Sequence, residues 1–480
     1  MDTIIGPTPE ELRRALRQAA DWVASYLETV GNRPVLSRVT PGEIAASLPR
    51  SAPLHGEPLE TILQDVDRLI LPGITHWNHP AFFAYFGISG SGPGIVGELI
   101  AATLNVNAML WRTSPAATEL EQRTLAWVAE MLGLPRGWFG EITDTASAST
   151  LYALAAAREA AGVDIREQGM AGRADLPPLA VYTSTQAHSS IDKAAIALGI
   201  GRRWTRHIET DSEFRMRPEL LERAVKADLA AGVKPIAVVA TVGTTSSTSI
   251  DPVSALADVC ERYGLWLHVD AAYGGAAALV PSHRGVLAGC DRADSFVTNP
   301  HKWLLTPIDC SLLYTRRPDD LKRAFSLVAE YLRTEEADVV NLMDYGLSLG
   351  RRFRALKLWM VIRAYGREGL ARIIEGHIHE ARWLAEQIDA EPGWQRLAPV
   401  PFSTVCFRHL PAGEADVEAH NAAILEAVNA GGSAFLSHTK LDGVYAIRAA
   451  IGNQATTHEH VARLWDLLRS AASRRLRHAE

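Results

Sequence analysis

Apolar and polar positions along the chain change period several times, and each change marks an element. From Thr8, the residues Pro9, Glu10 and Glu11 lead into Leu12, Leu16, Ala19, Ala20, Val23 and Leu27. This spacing predicts an amphipathic helix capped by Thr8, with acids in its first turn. Residues 31–93 are dense in Pro and Gly and are broken by one helix-like stretch over 59–71, which suits an extended N-terminal arm. From about Ala117, helical stretches alternate with short apolar, β-rich runs at 179–183, 236–241, 265–270, 295–298 and 310–315. Near-continuous apolar strands separated by helices predict a mainly parallel sheet covered on both faces, with its ligand beyond the carboxyl ends of the strands. After about Leu356 the pattern is a long helix through Tyr365, a further helix, a strand (404–410), a helix (415–430), a strand (445–451) and a final helix, a small α+β domain. There is no internal repeat and no low-complexity tract.

Composition narrows the partners. The 480 residues carry 48 Lys and Arg against 55 Asp and Glu, a formal net charge of −7. No global basic field awaits a nucleic acid or an anionic membrane. Apolar residues make up 47% of the chain, with 12 Trp, enough for a sizeable core. Cys260, Cys290, Cys310 and Cys406 lie far apart without a C-x-x-C pair, so neither a disulfide framework nor a zinc ribbon is expected, and a reducing, cytoplasmic setting is. The first residues lack the pattern of a secretion signal, and no run approaches the roughly 18 apolar residues of a spanning helix.

Three chemically suitable residues fall at predicted strand ends. Lys302 sits in the NPHK loop after the strand ending near Thr298, among Phe296, Val297, Trp303, Leu304 and Leu305; a lysine so enclosed loses charge and can form a Schiff base. Asp270 ends the run LWLHVD, where a buried acid needs a cation such as a protonated pyridine nitrogen. His188, in QAHSSIDKAA, could stack on a planar ring. Taken singly, these residues also fit a surface lysine, a helix cap or salt bridge, and a satisfied polar histidine. The stretch 144–159 places Thr145, Ala146, Ser147, Ala148, Ser149 and Thr150 ahead of an alanine-rich helix, a phosphate cradle or a plain Ser/Thr cap. Nucleotide motifs GxxxxGK[ST] and GxGxxG are missing. Imine lysine, pyridine partner, ring-stacking histidine and phosphate turn together match the needs of pyridoxal 5′-phosphate.

The segments NPHKWLLTPIDCSLLY, LHVDAAYGGAA, QAHSSIDKAA, ATVGTTSSTSIDP and HPAFFAYFGISGSGPGI resemble the group II pyridoxal-phosphate decarboxylases, particularly the aromatic-L-amino-acid branch, over residues 8–470. The resemblance implies fold type I, aspartate-aminotransferase-like, with a mainly parallel seven-stranded sheet. It divides the chain into a dimer-wrapping helical arm (1–85), a large cofactor domain (86–355) and a small α+β domain (356–480). It implies that Lys302 carries the cofactor, Asp270 holds the pyridine nitrogen and His188 stacks on the ring. Ala146, Ser147, Asn299 and His301 match phosphate-contacting positions, while Thr245 and Ala272 match the ring's surroundings. Tyr331 aligns with a mobile-loop tyrosine that protonates the substrate carbon once carbon dioxide has left. Relatives that make aldehydes carry phenylalanine there or replace the histidine. Trp77, Phe82, Tyr85, Phe86, Ile88 and Ile308 resemble a substrate-pocket wall, with Asn107 and Met109 expected from the partner of a homodimer. Gly87, Ile88 and Ile308 depart from the animal enzyme and leave the preferred aromatic side chain open.

The expected activity is therefore decarboxylation of an aromatic L-amino acid (tryptophan, tyrosine, phenylalanine or a hydroxylated form) to its amine. The alternatives are a decarboxylase of glutamate, aspartate, histidine or diaminobutyrate, with Arg112 the nearest cation for an acidic side chain, and an aromatic aldehyde synthase. A non-catalytic cofactor binder would not need Tyr331. A metal hydrolase, suggested by the 16 histidines, lacks HExxH; His377 and His379 are expected on a solvated helix face.

Overall fold

The computed structural model describes residues 6–327, 336 and 339–477. Its large sheet contains β1 (Phe139–Thr143), β2 (Leu179–Ser184), β3 (Thr205–Ile208), β4 (Lys234–Thr241), β5 (Trp266–Asp270), β6 (Ser295–Thr298) and β7 (Ser311–Thr315). They lie in the order β1-β7-β6-β5-β4-β2-β3. Only β7 runs against its neighbours, pairing antiparallel with β1 and β6. The strands β2, β4, β5 and β6 are buried along almost their whole length, as expected for a sheet with helices on both faces.

The register sets the chemistry. Thr241 lies opposite Asp270, and Asp270 opposite Val297, so three consecutive strands end at one level. The carboxyl end of β1 reaches the same edge and feeds the helix Ala146–Ala160. Two strands escape the apolar pattern for a physical reason: β1 is FGEIT, with Gly and Glu in its interior, and β3 is TRHI, an edge strand carrying charge.

A second, four-stranded antiparallel sheet contains β8 (Trp394–Arg396), β9 (Thr404–His409), β10 (Ser437–Leu441) and β11 (Val444–Ala450), in the order β10-β11-β9-β8. The apolar β9 and β11 are central and match the expected runs, while the polar β8 and β10 are edges. The helix Ala355–Ala390 joins the two sheets and turns at Gly366, whose φ of 64° interrupts the helical backbone. Within the segment expected to be an arm, the helix Pro9–Thr29 starts with a capping box between Thr8 and Glu11. Val35 and Ala81 to Ala84 are instead buried in the core beside β9 and β11. Among the described residues no helix is long and apolar enough to cross a membrane.

Candidate active site

At the shared strand edge lies a cavity of about 410 Å³. Its wall includes Lys302, Asp270, His188, Ala146, Ser147, Thr245, Ala272, Asn299 and His301, residues brought from β2, β4, β5, β6 and the helix after β1. The sequence separates them by more than 150 positions, and the parallel register unites them.

Lys302 follows β6 in the short helix Pro300–Trp303. Burial lowers the pKa of its amine, with Asp270 opposing and Arg448 adding to the shift. Its Nζ lies 5.2 Å from the centre of the Phe86 ring. Asp270 is 5% exposed and accepts the Ala272 N–H at 3.0 Å. The His188 ring is oriented by its own turn: Nδ1 accepts the Ser190 N–H at 3.1 Å, so the neutral ring carries its proton on Nε2. Burial lowers its pKa, and Asp270 partly restores it.

A phosphorylated pyridine fits this lining. The helix Ala146–Ala160 has no side-chain cap at Thr145. The N–H groups of Ala146 and Ser147 have no partner among the described residues, whereas Ala148 and Ser149 bond back to Thr145. Two free N–H groups at a helix start suit a phosphate. Nearby, the buried Asn299 Oδ1 and Thr241 Oγ1 also lack partners. Burial pushes the His301 imidazole down to about 4, so it is neutral, and its Nδ1 accepts the Cys310 N–H at 2.9 Å. Ala146, Ala272 and Val297 form a small apolar platform beside Asp270.

Trp77, Tyr85, Phe86 and Ile88 complete the wall as expected. Phe82 is buried behind Trp77, with ring centres 4.4 Å apart. Asn107, Met109 and Ile308 do not line this cavity. Asn107 accepts the Arg351 N–H at 2.9 Å and donates toward Met109 Sδ, and Ile308 is 55% exposed. Arg112 is exposed, 3.7 Å from Glu336. Tyr331 lies outside the described residues.

Several lining residues were not anticipated: Thr241, Ser246 and Tyr273, the edge-strand residues Ser437 to Thr439, and Arg448. Arg448 is buried, donates Nε to Ser246 O at 3.0 Å and Nη1 to Tyr85 O, and leaves Nη2 without a partner. A charge inside the apolar run YAIRAAI was the signal for it. The Phe86 ring lies under this guanidinium at 4.5 Å and stacks on Tyr273 at 4.0 Å; Tyr273 stacks on Trp303 at 4.6 Å.

One expectation is corrected here. His377 does not lie on a solvated face; it is 4% exposed, accepts the Trp303 Nε1–H at 3.0 Å and bonds Asn453 O through Nε2 at 2.9 Å. The helix carrying it is packed between both sheets, so its inward face is dry. His379 is exposed, as expected.

Known proteins share this sequence pattern and this fold. The family model described as "Pyridoxal-dependent decarboxylase conserved domain" matches residues 41–410. Tyrosine decarboxylase 4 of Petroselinum crispum is 43% identical over 481 residues, covering 97% of this chain and 94% of that protein. Phenylacetaldehyde synthase of Arabidopsis thaliana is 41% identical, covering 97% and 96%. A crystal structure of Oryza sativa TDC with PLP and tryptamine superposes with a TM-score of 0.94 at 37% identity, covering 98% of this chain and 99% of that one. The lysine, acid, histidine and phosphate cradle thus occur in a chain that matches these proteins end to end, and it belongs to the pyridoxal-dependent decarboxylase family, with the fold-type-I architecture and pyridoxal 5′-phosphate as its cofactor.

Proposed function

We propose that the protein decarboxylates an aromatic L-amino acid, tryptophan, tyrosine, phenylalanine or a hydroxylated form, to the amine and carbon dioxide. The observation that carries this reading is the composition of one cavity: beside Lys302, Asp270 and His188 its wall is made of Trp77, Tyr85, Phe86 and Ile88. An aromatic wall favours an aromatic side chain by contact area. The relatives named for tyrosine and tryptophan support the same class.

The bound cofactor supplies an electron sink for the pair left at Cα when the carboxylate departs. Lys302 Nζ, kept less basic by burial, would hold the cofactor covalently and give up that place to the substrate amine. Ala146, Ser147, Asn299 and His301 hold the phosphate, and Asp270 keeps the ring nitrogen protonated. Thr245 and Ala272 border the ring. His188, with its proton on Nε2 directed away from Ser190, would stack on the ring. Arg448, with Nη2 free, orients the substrate carboxylate. Tyr331 returns a proton to Cα.

The chain divides on this reading into an arm (1–85), a cofactor domain (86–355) and a small domain (356–480). It works as a homodimer in the cytoplasm. Val96, Leu99, Ile100 and Leu104 form one exposed apolar row on the helix Gly92–Leu104, just before Asn107 and Met109, which supports a partner surface that lends these two residues to the neighbouring cavity. Ile308, also outside its own cavity, belongs to the same shared wall. Four buried free thiols accord with a reducing compartment.

A panel of L-amino acids assayed for carbon dioxide and amine tests the reading; no turnover of any aromatic member sinks it. The aldehyde synthases among the relatives favour a second reading, oxidative conversion to an aldehyde. Oxygen uptake with aldehyde as the main product would establish it. Tyr331 and His188, both of the decarboxylase pattern, weigh against it. A glutamate, aspartate, histidine or diaminobutyrate preference is disfavoured, because Arg112 is outside the wall and Arg448 is committed to the α-carboxylate.

A further inference from the structure

A second cavity, of about 400 Å³, lies between the chain at 31–38, residues 79–81, the turn 431–434 and the helix His458–Arg477. Arg33, Arg38, Arg463, His79 and His460 line it, and its lining includes no carboxylate. None of the three arginines has an acidic partner among the described residues. Arg33 donates no side-chain hydrogen bond there, although its Nε is shut off from solvent. Arg38 reaches only the Gly431 carbonyl, at 3.5 Å, and Arg463 only the Ser433 hydroxyl, at 3.4 Å. His79 is fixed in place by the Ala81 N–H on Nδ1 at 2.9 Å and by Gly31 O at 3.2 Å from Nε2. The turn is shaped around this group of cations: a Cβ on Gly432, whose φ is +74°, would stand 2.5 Å from Arg38 Nη2.

Arg33, Arg38 and Arg463 gather positive charge around one recess, and a shielded Arg33 N–H is left unsatisfied. Arg351 meets Glu121 and Arg206 meets Asp228, whereas the buried Arg448, which also has no acid among the described residues, faces the other cavity. Arg38 and Arg463 are exposed and Arg33 half-buried, so an anion from solution can reach them and supply the counter-charge that the protein does not. Planar guanidinium forks match the several acceptor oxygens of a phosphate, and the volume exceeds what one inorganic phosphate fills.

We propose that this cavity binds a small phosphorylated anion, a diphosphate or phosphate ester, at Arg33, Arg38 and Arg463, separate from the cofactor cradle. This goes beyond the activity proposed above and does not depend on it. Calorimetric titration of the cofactor-loaded protein with pyrophosphate, and in parallel with a nucleoside triphosphate, tests it. Cofactor loading keeps the cradle at Ala146 filled. One saturable site per chain is expected, weakened about tenfold or more by Arg33→Gln with Arg463→Gln, and several-fold by Arg38→Gln alone, an exposed position that tolerates change. Equal affinity for both probes means that the phosphates alone are recognised, and tighter triphosphate binding means that the ester group is too; either outcome supports the site. Absence of saturable binding to the unaltered protein overturns the proposal, as does affinity unchanged in a double variant that keeps its cofactor absorbance.

Discussion

Desolvation shifts the pKa of two informative residues, Lys302 and Glu141. At Lys302 it lowers the amine's pKa. As the proposed carrier of the cofactor at the cavity wall, Lys302 predicts that Lys302→Ala removes both the ~420 nm absorbance expected of the covalently bound cofactor and its fixation by borohydride; cofactor fixed irreversibly to the variant would show that another lysine does this work. At Glu141, in the interior of β1, burial pushes the carboxyl up to about 8, and Arg351, paired with Glu121 at 2.8 Å, offsets this only in part. The sign follows from linkage. The folded protein keeps a proton that the unfolded chain releases above the ordinary carboxylate range, so this residue costs stability progressively as pH rises toward about 8. Glu141→Gln keeps the neutral shape, and should leave stability at pH 5 little changed while flattening its decline between pH 5 and 8. Denaturation midpoints at the two pH values check this, and parallel curves for the two proteins would refute it. Lys302, Asp270 and His188 were legible in sequence because each stands in a distinctive short segment at a strand end. Arg448 was not, since its importance comes from meeting Phe86 and Ser246, which lie more than 200 positions away.

At the level of elements, the helix Gly92–Leu104 has two faces with different tasks. One face contains Gly94 and Gly97, and a Cβ on Gly97 would lie 2.6 Å from Lys357 Cα. Backbone meets backbone there, and Lys357 and Glu98 form an ion pair alongside. Gly97→Val should force the two helices apart and cost about 1–3 kcal/mol, measurable by denaturation; an unchanged midpoint would mean that the helices slide freely. Central strands were readable because burial on both faces demands continuous apolar residues. The edges β3, β8 and β10 were not, because an edge strand tolerates charge and polarity and so loses its period. That is why Ser437, His438 and Thr439 joined the cavity wall unannounced. His377 was misread for the opposite reason: in a helix packed between two sheets, a polar residue can be as dry as a leucine.

At the scale of the whole molecule, the other face of that helix predicts assembly. Leu99→Asp places a charge in the exposed row Val96, Leu99, Ile100 and Leu104, and should convert a dimer into monomers with little turnover. Light scattering with chromatography reads the mass, and a variant that elutes unchanged would move the interface elsewhere. The α/β class was legible from alternation, fold type I only from the resemblance, and the packing of the N-terminal third from neither. Residues 81–83 lie against the two ends of the β10–β11 hairpin: Phe83 N–H bonds Phe435 O at 2.8 Å, Phe435 N–H bonds Ala81 O at 3.1 Å, and Ala450 N–H bonds Phe83 O at 2.9 Å. This stitch has a consequence for synthesis. A ribosome must release more than 350 further residues before the strip at 81–83 finds its partners, and the closure of so long a loop is slow. Trp77, Tyr85 and Phe86 hang from that strip, so the nascent chain exposes its aromatic wall until translation is almost finished. The cavity that selects the substrate is then among the last parts of the protein to form, and its apolar surface is open to wrong contacts until then.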